Sequence, residues 1–298
     1  MSWRGRDVAL LGGAAFTALL AWRAPARAAA QRSERTGDAR GPPVDLFKVP
    51  PLSAAERSAL DAVCKAPWPP AVGGLCASQA EVDAVVKLRD ALLRRGVRSQ
   101  FASQSVDDVR HLLCFARARG LDVSKAETMW VRAHEWRESR RGFVDGLTAG
   151  YVQPAALERC GAGGVYGVDL NGAPVLYNPV GRLDPPRLFE TVSVRDWVDA
   201  ELAKSEGLQA VLDRRSIEDA QPHAAFTVVV DLAGLGWRHY FQPAFDAFAA
   251  SAQQMDDYYP ERTKVILVVN APAIFTLIWC VESLARASAC ACVRARLR

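Results

Sequence analysis

Ionisable and nucleophilic side chains are abundant in this chain, but they are not spaced as catalysis or metal binding would require. The sequence contains no Gly-x-Ser-x-Gly turn for a nucleophilic serine, no His-Glu-x-x-His helix for zinc and no Walker loop for phosphates. Seven cysteines occur without a Cys-x-x-Cys pair, and Cys290 and Cys292 stand too close for the usual structural zinc spacing. The pattern predicts free thiols in a reducing compartment, no metal, no cofactor and no enzyme activity.

Two other features resemble parts of nucleotide-binding or hydrolytic sites. The segment Gly161–Gly167 is rich in glycine, but it precedes a predicted strand, so a bound phosphate would not meet a helix N-terminus. We interpret it as a flexible turn. Asp231 ends a predicted buried strand, where doubly wound enzymes often keep a catalytic acid. Because no nucleophile or base accompanies it, we interpret Asp231 as a carboxylate that caps the next loop.

Three blocks of sequence carry the main functional signal, in a fixed order over roughly residues 80–278. The first, Ser105–Val123, reads SVDDVRHLLCFARARGLDV and continues to Glu135-Trp136-Arg137. The second, Tyr166–Val175, reads YGVDLNGAPV. The third, Tyr258–Lys264, reads YYPERTK and leads through an apolar run to Asn270-Ala271-Pro272. Together they resemble the CRAL-TRIO lipid-binding family, which includes phosphatidylinositol and alpha-tocopherol transfer proteins.

The resemblance implies a sheet floor and helical walls around a lipid, beneath a mobile gate helix. It implies non-catalytic binding and intermembrane transfer of a phospholipid, with phosphatidylinositol as the candidate. Glu261 matches the family carboxylate that hydrogen-bonds the inositol headgroup, and Arg119 falls where members place basic residues near the phosphate. The lipid-binding residues that the resemblance implies are Glu261, Arg119, Phe226, Thr227, Tyr258 and Tyr259.

Alternatives to this function and to these roles stay open. Gly120 stands where the family frequently has a lysine, which favours a small isoprenoid ligand such as a tocopherol-like or retinoid-like molecule. A membrane-signalling scaffold that does not exchange lipid is a third possibility. Glu261 could simply cap and pair around its turn, and Tyr258 and Tyr259 could be ordinary core residues.

The elements that would position these residues fall into two groups. Helical periodicity and capping residues predict helices over Ser53–Cys64, Ser78–Gly96, Ser105–Arg119 and Ser124–Arg137. These helices would form an N-terminal bundle. The last two helices are expected to pack through four apolar residues, namely Leu112, Leu113, Met129 and Trp130.

Beyond Val165 the pattern changes to strands that alternate with helices. A hairpin with a two-residue Asn171-Gly172 turn is predicted to join Val165–Leu170 to Pro174–Asn178. A helix over Ser193–Leu212 and a connection over 214–222 lead to a strand, Phe226–Val230. A helix over Gln242–Tyr258 then leads to Lys264–Val269, an apolar strand expected to be covered on both faces and to run parallel to its predecessor.

The predicted fold class is therefore α/β, with an N-terminal helical bundle followed by a mostly parallel sheet flanked by helices. We divide the chain into a hydrophobic or targeting segment and linker (1–45), a helical domain (46–150), a lipid-binding domain (151–284) and an irregular tail (285–298). Past Pro272 the chain departs from the family pattern, so the lipid-binding domain is expected to be incomplete or truncated.

Partners and location follow from charge and from the first segment. The net charge is +4 and the arginines are scattered, which argues against nucleic acid and is compatible with a membrane surface. The predicted location is cytoplasmic and peripheral at membranes. The apolar run Val8–Trp22 with arginines on both sides fits an anchor, a cleavable signal, an organelle transit peptide or a disordered tail.

Overall fold

A computed structural model describes residues 44–65, 75–98, 100–101, 103–148, 151–159 and 163–272. The helices are α1 Ala54–Cys64, α2 Gln79–Arg94, α3 Val109–Ala118, α4 Val123–Ser139, α5 Arg141–Thr148, α6 Ala155–Arg159, α7 Pro185–Leu188, α8 Val194–Glu218 and α9 Gln242–Tyr258. The strands are β1 Gln100–Phe101, β2 Gln104–Ser105, β3 Gly164–Val168, β4 Pro174–Asn178, β5 Phe226–Asp231 and β6 Thr263–Val269. Short 3-10 turns span Val180–Arg182 and Trp237–His239.

Helices α2, α3 and α4 form the predicted bundle around one apolar core, whereas α1 packs on α8, with Leu60 and Cys64 beside Ile217. Leu112 and Leu113 of α3 and Met129 and Trp130 of α4 are buried in the same cluster. The Trp130 side chain is fully buried, and its ring lies 6.4 Å from that of Phe115. The predicted packing of these two helices is therefore confirmed.

The helix starts in the bundle differ from the predicted ones by a few residues. Ser105 lies in β2 rather than at the start of α3, and Asp108 is the N-cap, accepting a hydrogen bond from the Arg110 amide at 2.9 Å. Asp122 caps α4 in place of Ser124 by accepting from the Lys125 amide at 3.1 Å. In both cases an aspartate directly before the first helical residue takes the capping role.

The second half of the chain forms a four-stranded sheet in the order β3-β4-β5-β6. Strands β4, β5 and β6 are parallel neighbours, while β3 pairs with β4 in the antiparallel sense. The prediction that Phe226–Val230 and Lys264–Val269 are adjacent parallel strands is confirmed, as is the α/β class with a mostly parallel sheet.

The hairpin between β3 and β4 is wider than the predicted two-residue turn. The Asp169 amide donates to the Ala173 carbonyl at 2.8 Å, and Gly172 alone in the turn has a positive φ, +80°. The loop is therefore three residues long, with glycine at its left-handed position. Asp169 causes the change, because its carboxylate accepts from the Asn171 and Ala173 amides.

Three further expectations need correction. Helix α8 extends through Glu218, so most of the predicted 214–222 connection is helical. Residues 164–167 of the glycine-rich segment belong to β3 rather than to a turn. The β6 residues Val265–Val269 are half-buried instead of enclosed on both faces. Part of the sheet is thus open to solvent over the stretch of chain that the structure describes.

Other predictions fall wholly or partly outside the described ranges. Cys64, Cys76 and Cys114 are buried free thiols, whereas the remaining cysteines lie outside those ranges. The segments 8–22 and 285–298 also lie outside them. Among the described helices, none is both long and apolar enough to cross a bilayer. The domain boundaries stay predictions.

Candidate functional site

The two long crossover helices lie on the same side of the sheet. Each parallel connection, β4 to β5 through α8 and β5 to β6 through α9, moves one strand in the same direction. Because such crossovers are almost always right-handed, both helices must cover one face. Leu208 and Leu212 of α8 pack there on Val228 of β5 and Leu176 of β4. This helix-covered face is the closed side of the sheet.

The opposite face, which we call the open face, is apolar. The strand register places Val229 beside Tyr177 on one neighbour and Leu267 on the other, with their side chains on the same face. None of these side chains belongs to a buried core cluster formed by the described residues. The open face comprises Tyr166, Val175, Tyr177, Val229, Val265, Leu267 and Val269, all of them half-buried or exposed.

A polar cluster centred on Asp169 closes one end of the open face. The Thr227 hydroxyl donates to Asp169 Oδ2 at 2.9 Å, and Lys264 Nζ lies 3.2 Å from the same oxygen. Burial raises the pKa of Asp169, but the hydrogen bonds from the Asn171 amide and from Thr227 outweigh burial and hold that pKa below its usual value. Asp169 therefore stays ionised and joins β3, β5 and β6 at this end.

A second polar cluster, centred on Asp231, closes the other end. Its carboxylate accepts from the Tyr177 hydroxyl at 2.5 Å, from Asn270 Nδ2 at 2.8 Å and from the Ala233 amide at 2.9 Å. These hydrogen bonds, that of Tyr177 above all, hold its pKa below its usual value. Asp231 thus caps the following loop, as predicted, and also fixes Tyr177 on the open face.

Between the helical bundle and the closed side of the sheet lies a buried polar seam, formed by Ser103, Arg137, Glu206, Tyr259 and Arg262. Glu206 Oε1 accepts from the Ser103 hydroxyl at 2.8 Å and from the Tyr259 hydroxyl. The Arg137 guanidinium lies 4.5 Å from the centre of the Tyr259 ring, and Arg262 Nη2 donates to the Ser103 carbonyl at 3.1 Å. The seam fixes the YYPER turn against the bundle.

A triad of charges, Asp108, Arg110 and Asp213, continues this contact. Arg110 Nη2 lies 2.6 Å from Asp108 Oδ2 and 2.8 Å from Asp213 Oδ1, and all three side chains are buried. Burial raises the pKa of Asp213, whereas for Asp108 the nearby Arg110 outweighs burial and keeps the pKa low. The triad joins α3 of the bundle to α8 of the sheet domain.

The predicted lipid-binding residues are divided between these regions. Thr227 lies at the polar end of the open face, but Phe226 points to the closed side, among the side chains packed on α8. Tyr259 is buried in the seam. Tyr258 stacks on Trp136 with ring centroids 4.1 Å apart. The two tyrosines therefore hold the turn to the bundle.

Glu261 and Arg119 are both exposed. Glu261 has a left-handed backbone with φ +54°, and its carbonyl accepts from the Cys114 thiol at 3.7 Å. Arg119 ends α3 and lines a surface cleft of about 280 Å³ together with Lys125, Arg132 and Asp257. The structure thus presents both headgroup candidates to solvent rather than in an enclosed compartment.

The backbone conformation at residue 120 explains why a glycine, and not a lysine, stands there. Its φ is +58°, and its amide donates to the Arg117 carbonyl at 3.0 Å, which ends α3. A left-handed residue after a helix is most often glycine, since a Cβ there is strained. The absence of lysine at Gly120 therefore carries little information about the ligand.

On the closed side, the cavity that lies between the described elements is too small for a lipid. A cavity of about 80 Å³ lies there between α8, α9 and β5, lined by Leu212, Phe226, Met255 and Arg262 among others. That volume suits a few water molecules but not an acyl chain. Nor do His, Cys, Asp and Glu side chains in the described ranges form a group of three that could hold a metal ion.

Sequence reasoning missed Asp169 and most of the seam. Asp169 lies in a motif block and is followed by Asn-Gly, which marks a carboxylate positioned by a turn. The sequence of α8 does carry a pattern that indicates the seam and the triad. Polar residues recur there at helical spacing and are all buried, namely Glu206, Gln209, Asp213 and Ser216. Such a stripe is ordinarily solvent-exposed, so its burial could be recognised only with the bundle in place.

We expect the free energy of unfolding to fall between pH 7 and pH 5, and the substitution His111→Gln to remove part of that fall. Burial lowers the pKa of His111 to about 3, and its neutral Nδ1 accepts from the Ser105 amide at 2.9 Å. The folded-state pKa lies below the unfolded value, so this contribution is complete above about pH 6.5 and is lost as the pH falls towards 3.

The loss attributable to His111 by pH 5 is roughly 2 kcal/mol. Urea unfolding of the full chain and of His111→Gln at both pH values measures it. Glutamine can keep the hydrogen bond from Ser105 without gaining a proton. Equal pH dependence in the two proteins would contradict the assignment.

Comparisons with known proteins agree with this architecture. Residues 158–283 match the family model described as "CRAL/TRIO domain". Protein real-time of Aedes aegypti is 29% identical over 179 residues, which cover 60% of this chain and 27% of that protein. The CRAL-TRIO domain-containing protein T23G5.2 of Caenorhabditis elegans is 30% identical over 170 residues, covering 57% and 23%. The chain thus spans about a quarter of the length of these relatives.

The likeness extends to three dimensions. The solved structure titled "Crystal structure of Sfh5" superposes with a TM-score of 0.55 at 16% identity, covering 70% of this chain and 77% of the other. At that identity the likeness concerns the fold alone. The described residues thus form an α/β module with a mostly parallel sheet. Residues 158–283 carry a CRAL-TRIO domain, a domain whose proteins are generally lipid-binding carriers rather than enzymes.

Proposed function

We propose that this protein binds a phospholipid without chemical change and transfers it between membranes, and that the open face is the floor of its lipid compartment. The observation that carries the proposal is the placement of α8 and α9 on one side, which leaves an apolar face between the Asp169 and Asp231 clusters. An acyl chain on that face gains roughly 0.8 kcal/mol for each methylene removed from water.

The polar clusters at the two ends suit a ligand with a long apolar body. Thr227 and Asp169 hold one end and Tyr177 and Asp231 the other, and each carboxylate is already satisfied by protein donors. Neither cluster therefore offers an unpaired charge to the acyl region. The working location is cytoplasmic and peripheral at membranes, where exchange would take place.

Lipid extraction of the purified full chain followed by mass spectrometry tests the proposal. We expect phospholipid in near-stoichiometric amount, together with transfer of a fluorescent phospholipid from donor to acceptor vesicles. A recovered tocopherol-like or retinoid-like molecule would instead assign an isoprenoid carrier. Recovery of no lipid, with binding to vesicles but no transfer, would indicate a scaffold.

For the headgroup we propose phosphatidylinositol, with Glu261 accepting hydrogen bonds from ring hydroxyls and Arg119 near the phosphate. Support comes from the YYPER motif and from the basic cleft shared by Arg119, Lys125 and Arg132. Glu261 is exposed, so this role requires the headgroup to lie at the surface of the protein.

We expect Glu261→Ala to lower phosphatidylinositol affinity by on the order of 1–3 kcal/mol, because ring hydroxyls would lose a charged acceptor. Phosphatidylcholine affinity should change far less, since its headgroup lacks those hydroxyls. Stability should hardly change, because the side chain is exposed. Binding assays with both lipids and a melting curve measure all three effects.

The matched control is Glu261→Gln, which keeps a neutral acceptor and should lose less affinity than alanine. Glu261→Gly should raise stability slightly, because the backbone has φ +54°. An equal loss for both lipids in Glu261→Ala, together with a lower melting temperature, would show that the residue only caps its turn.

A further inference from the structure

The turn after β5 exposes large aromatic side chains that the fold does not use. Trp237 and Tyr240 are each 78% exposed, and Phe245 at the start of α9 is 38% exposed. Tyr240 meets Phe245 edge to face, with ring centroids 5.7 Å apart. These three residues form one feature, which we call the aromatic patch. Exposed aromatic side chains gathered at one turn are characteristic of interaction sites.

The backbone under the patch is firmly held. The Tyr240 amide donates to the Trp237 carbonyl at 3.0 Å, and the Phe241 amide donates to the His239 carbonyl at 3.0 Å. The Phe241 ring packs 6.4 Å from Phe189, just beyond α7. Phe241 thus anchors the turn, while Trp237 and Tyr240 remain outside. Their exposure comes from a fixed turn rather than from a missing contact within it.

The surface around the aromatic patch is positively charged, which suits anionic lipid headgroups. Arg238 lies between the exposed aromatics and donates to the Gly181 carbonyl at 3.4 Å, next to the exposed Arg182. The segments 179–182 and 235–245 contain these two arginines and no acidic residue. The nearest acids in sequence, Asp184 and Asp246, flank the patch, so the attraction by charge is modest.

The position of the patch relates it to the open face. The turn follows the carboxyl end of β5, where Asp231 closes the open face, and Arg238 reaches Gly181 just beyond the carboxyl end of β4. Indole and phenol rings with a neighbouring arginine are the side chains that settle at the boundary between headgroups and acyl chains. A bilayer is therefore the partner that this chemistry fits.

We propose that the aromatic patch inserts into the interfacial layer of a bilayer and holds the Asp231 end of the sheet at the membrane. The inference rests on the proposed function, because a carrier must deliver its lipid to such a surface. In this proposal Trp237 and Tyr240 contact the membrane rather than the bound lipid.

The test compares sedimentation of the full chain with vesicles of phosphatidylcholine and phosphatidylserine at about four to one. Trp237→Ala/Tyr240→Ala should bind the vesicles roughly tenfold more weakly or worse. The control Leu170→Ala removes an apolar side chain that is 95% exposed at the hairpin tip, and it should bind like the unaltered chain. Equal binding by the double variant would overturn the proposal.

A second measurement tests the proposal even if the double variant folds poorly. Trp237→Phe keeps an aromatic ring, so vesicle binding should persist. Quenching of tryptophan emission by brominated lipid should be largely lost, since Trp237 is the exposed indole of the patch. Unchanged quenching would also overturn the proposal.

Lipid content, measured by extraction of the same proteins, separates this inference from the proposed function. Normal lipid content with unaltered membrane binding in the double variant would refute the patch alone. Absence of lipid from every protein, with patch-dependent membrane binding, would refute the carrier and retain the patch.

Discussion

Arg110→Met is expected to lower the free energy of unfolding by about 3–5 kcal/mol, the largest loss of stability that we predict. The guanidinium is fully buried and bridges Asp108 and Asp213, which lie on different halves of the molecule. Methionine fills a similar volume but leaves both carboxylates without their cation. Since small domains unfold at about 5–15 kcal/mol, this loss would remove much of the total stability.

Urea unfolding measures the effect, and Arg95→Met supplies a matched control. Arg95 pairs with Glu127 at 3.4 Å but is 56% exposed, so its replacement should cost under about 1 kcal/mol. The double variant Arg110→Met/Asp213→Leu should recover part of the loss, because it removes one stranded carboxylate. A cost for Arg110→Met no larger than that for Arg95→Met would show that the triad does not stabilise the fold.

Elements that depend on local sequence could be predicted from the chain alone. The bounds of α9 agree with the predicted helix over Gln242–Tyr258, and Asp231 caps its loop as expected. Apolar periodicity and capping chemistry determine such features within a few residues of sequence. The errors at α3 and α4 are of the same local kind, because the N-cap at each start is an aspartate directly before the first helical residue and not the predicted serine.

Contacts between distant segments could not be predicted in this way. No contact was predicted for Arg110 or Arg137, yet Arg110 meets Asp213 and Arg137 meets Tyr259, each more than a hundred residues away. A buried charge is tolerated only beside its partner, and the sequence does not show which segments meet. The roles of Tyr258 and Tyr259 changed for the same reason, because both pack on the bundle.

The kind of site could be predicted from the sequence, but only some of its residues could. Motif blocks and alternating strands led to the CRAL-TRIO resemblance and to a mostly parallel sheet flanked by helices, but not to a sheet with only one helix-covered face. Phe226 and Thr227 were both assigned to the pocket, but adjacent strand residues point to opposite faces. Only Thr227 lies on the open face, and its partner Asp169 comes from the hairpin. Register, rather than composition, determines which residues could touch a ligand.

Val229→Asp is expected to remove most of the lipid that we propose the chain binds. Val229 lies at the centre of the open face, between Tyr177 and Leu267 in the register. A carboxylate there would have to lose its hydration when an acyl chain covers it, which costs several kcal/mol and corresponds to a loss of roughly a hundredfold or more in affinity. Mass spectrometry of the lipid extracted per mole of protein measures this loss.

Two controls separate loss of the ligand from loss of the fold. Val194→Asp makes the same chemical change at an exposed position in the first turn of α8, where a negative charge is tolerated, and lipid content should be unaltered. Val228→Thr places a hydroxyl among Leu208, Leu212 and Phe226 on the closed side, so it should lower stability by about 1–3 kcal/mol and leave lipid content per folded protein unchanged. If Val228→Thr removed lipid as fully as Val229→Asp, the two faces would not differ and the open face would not be the floor of the compartment.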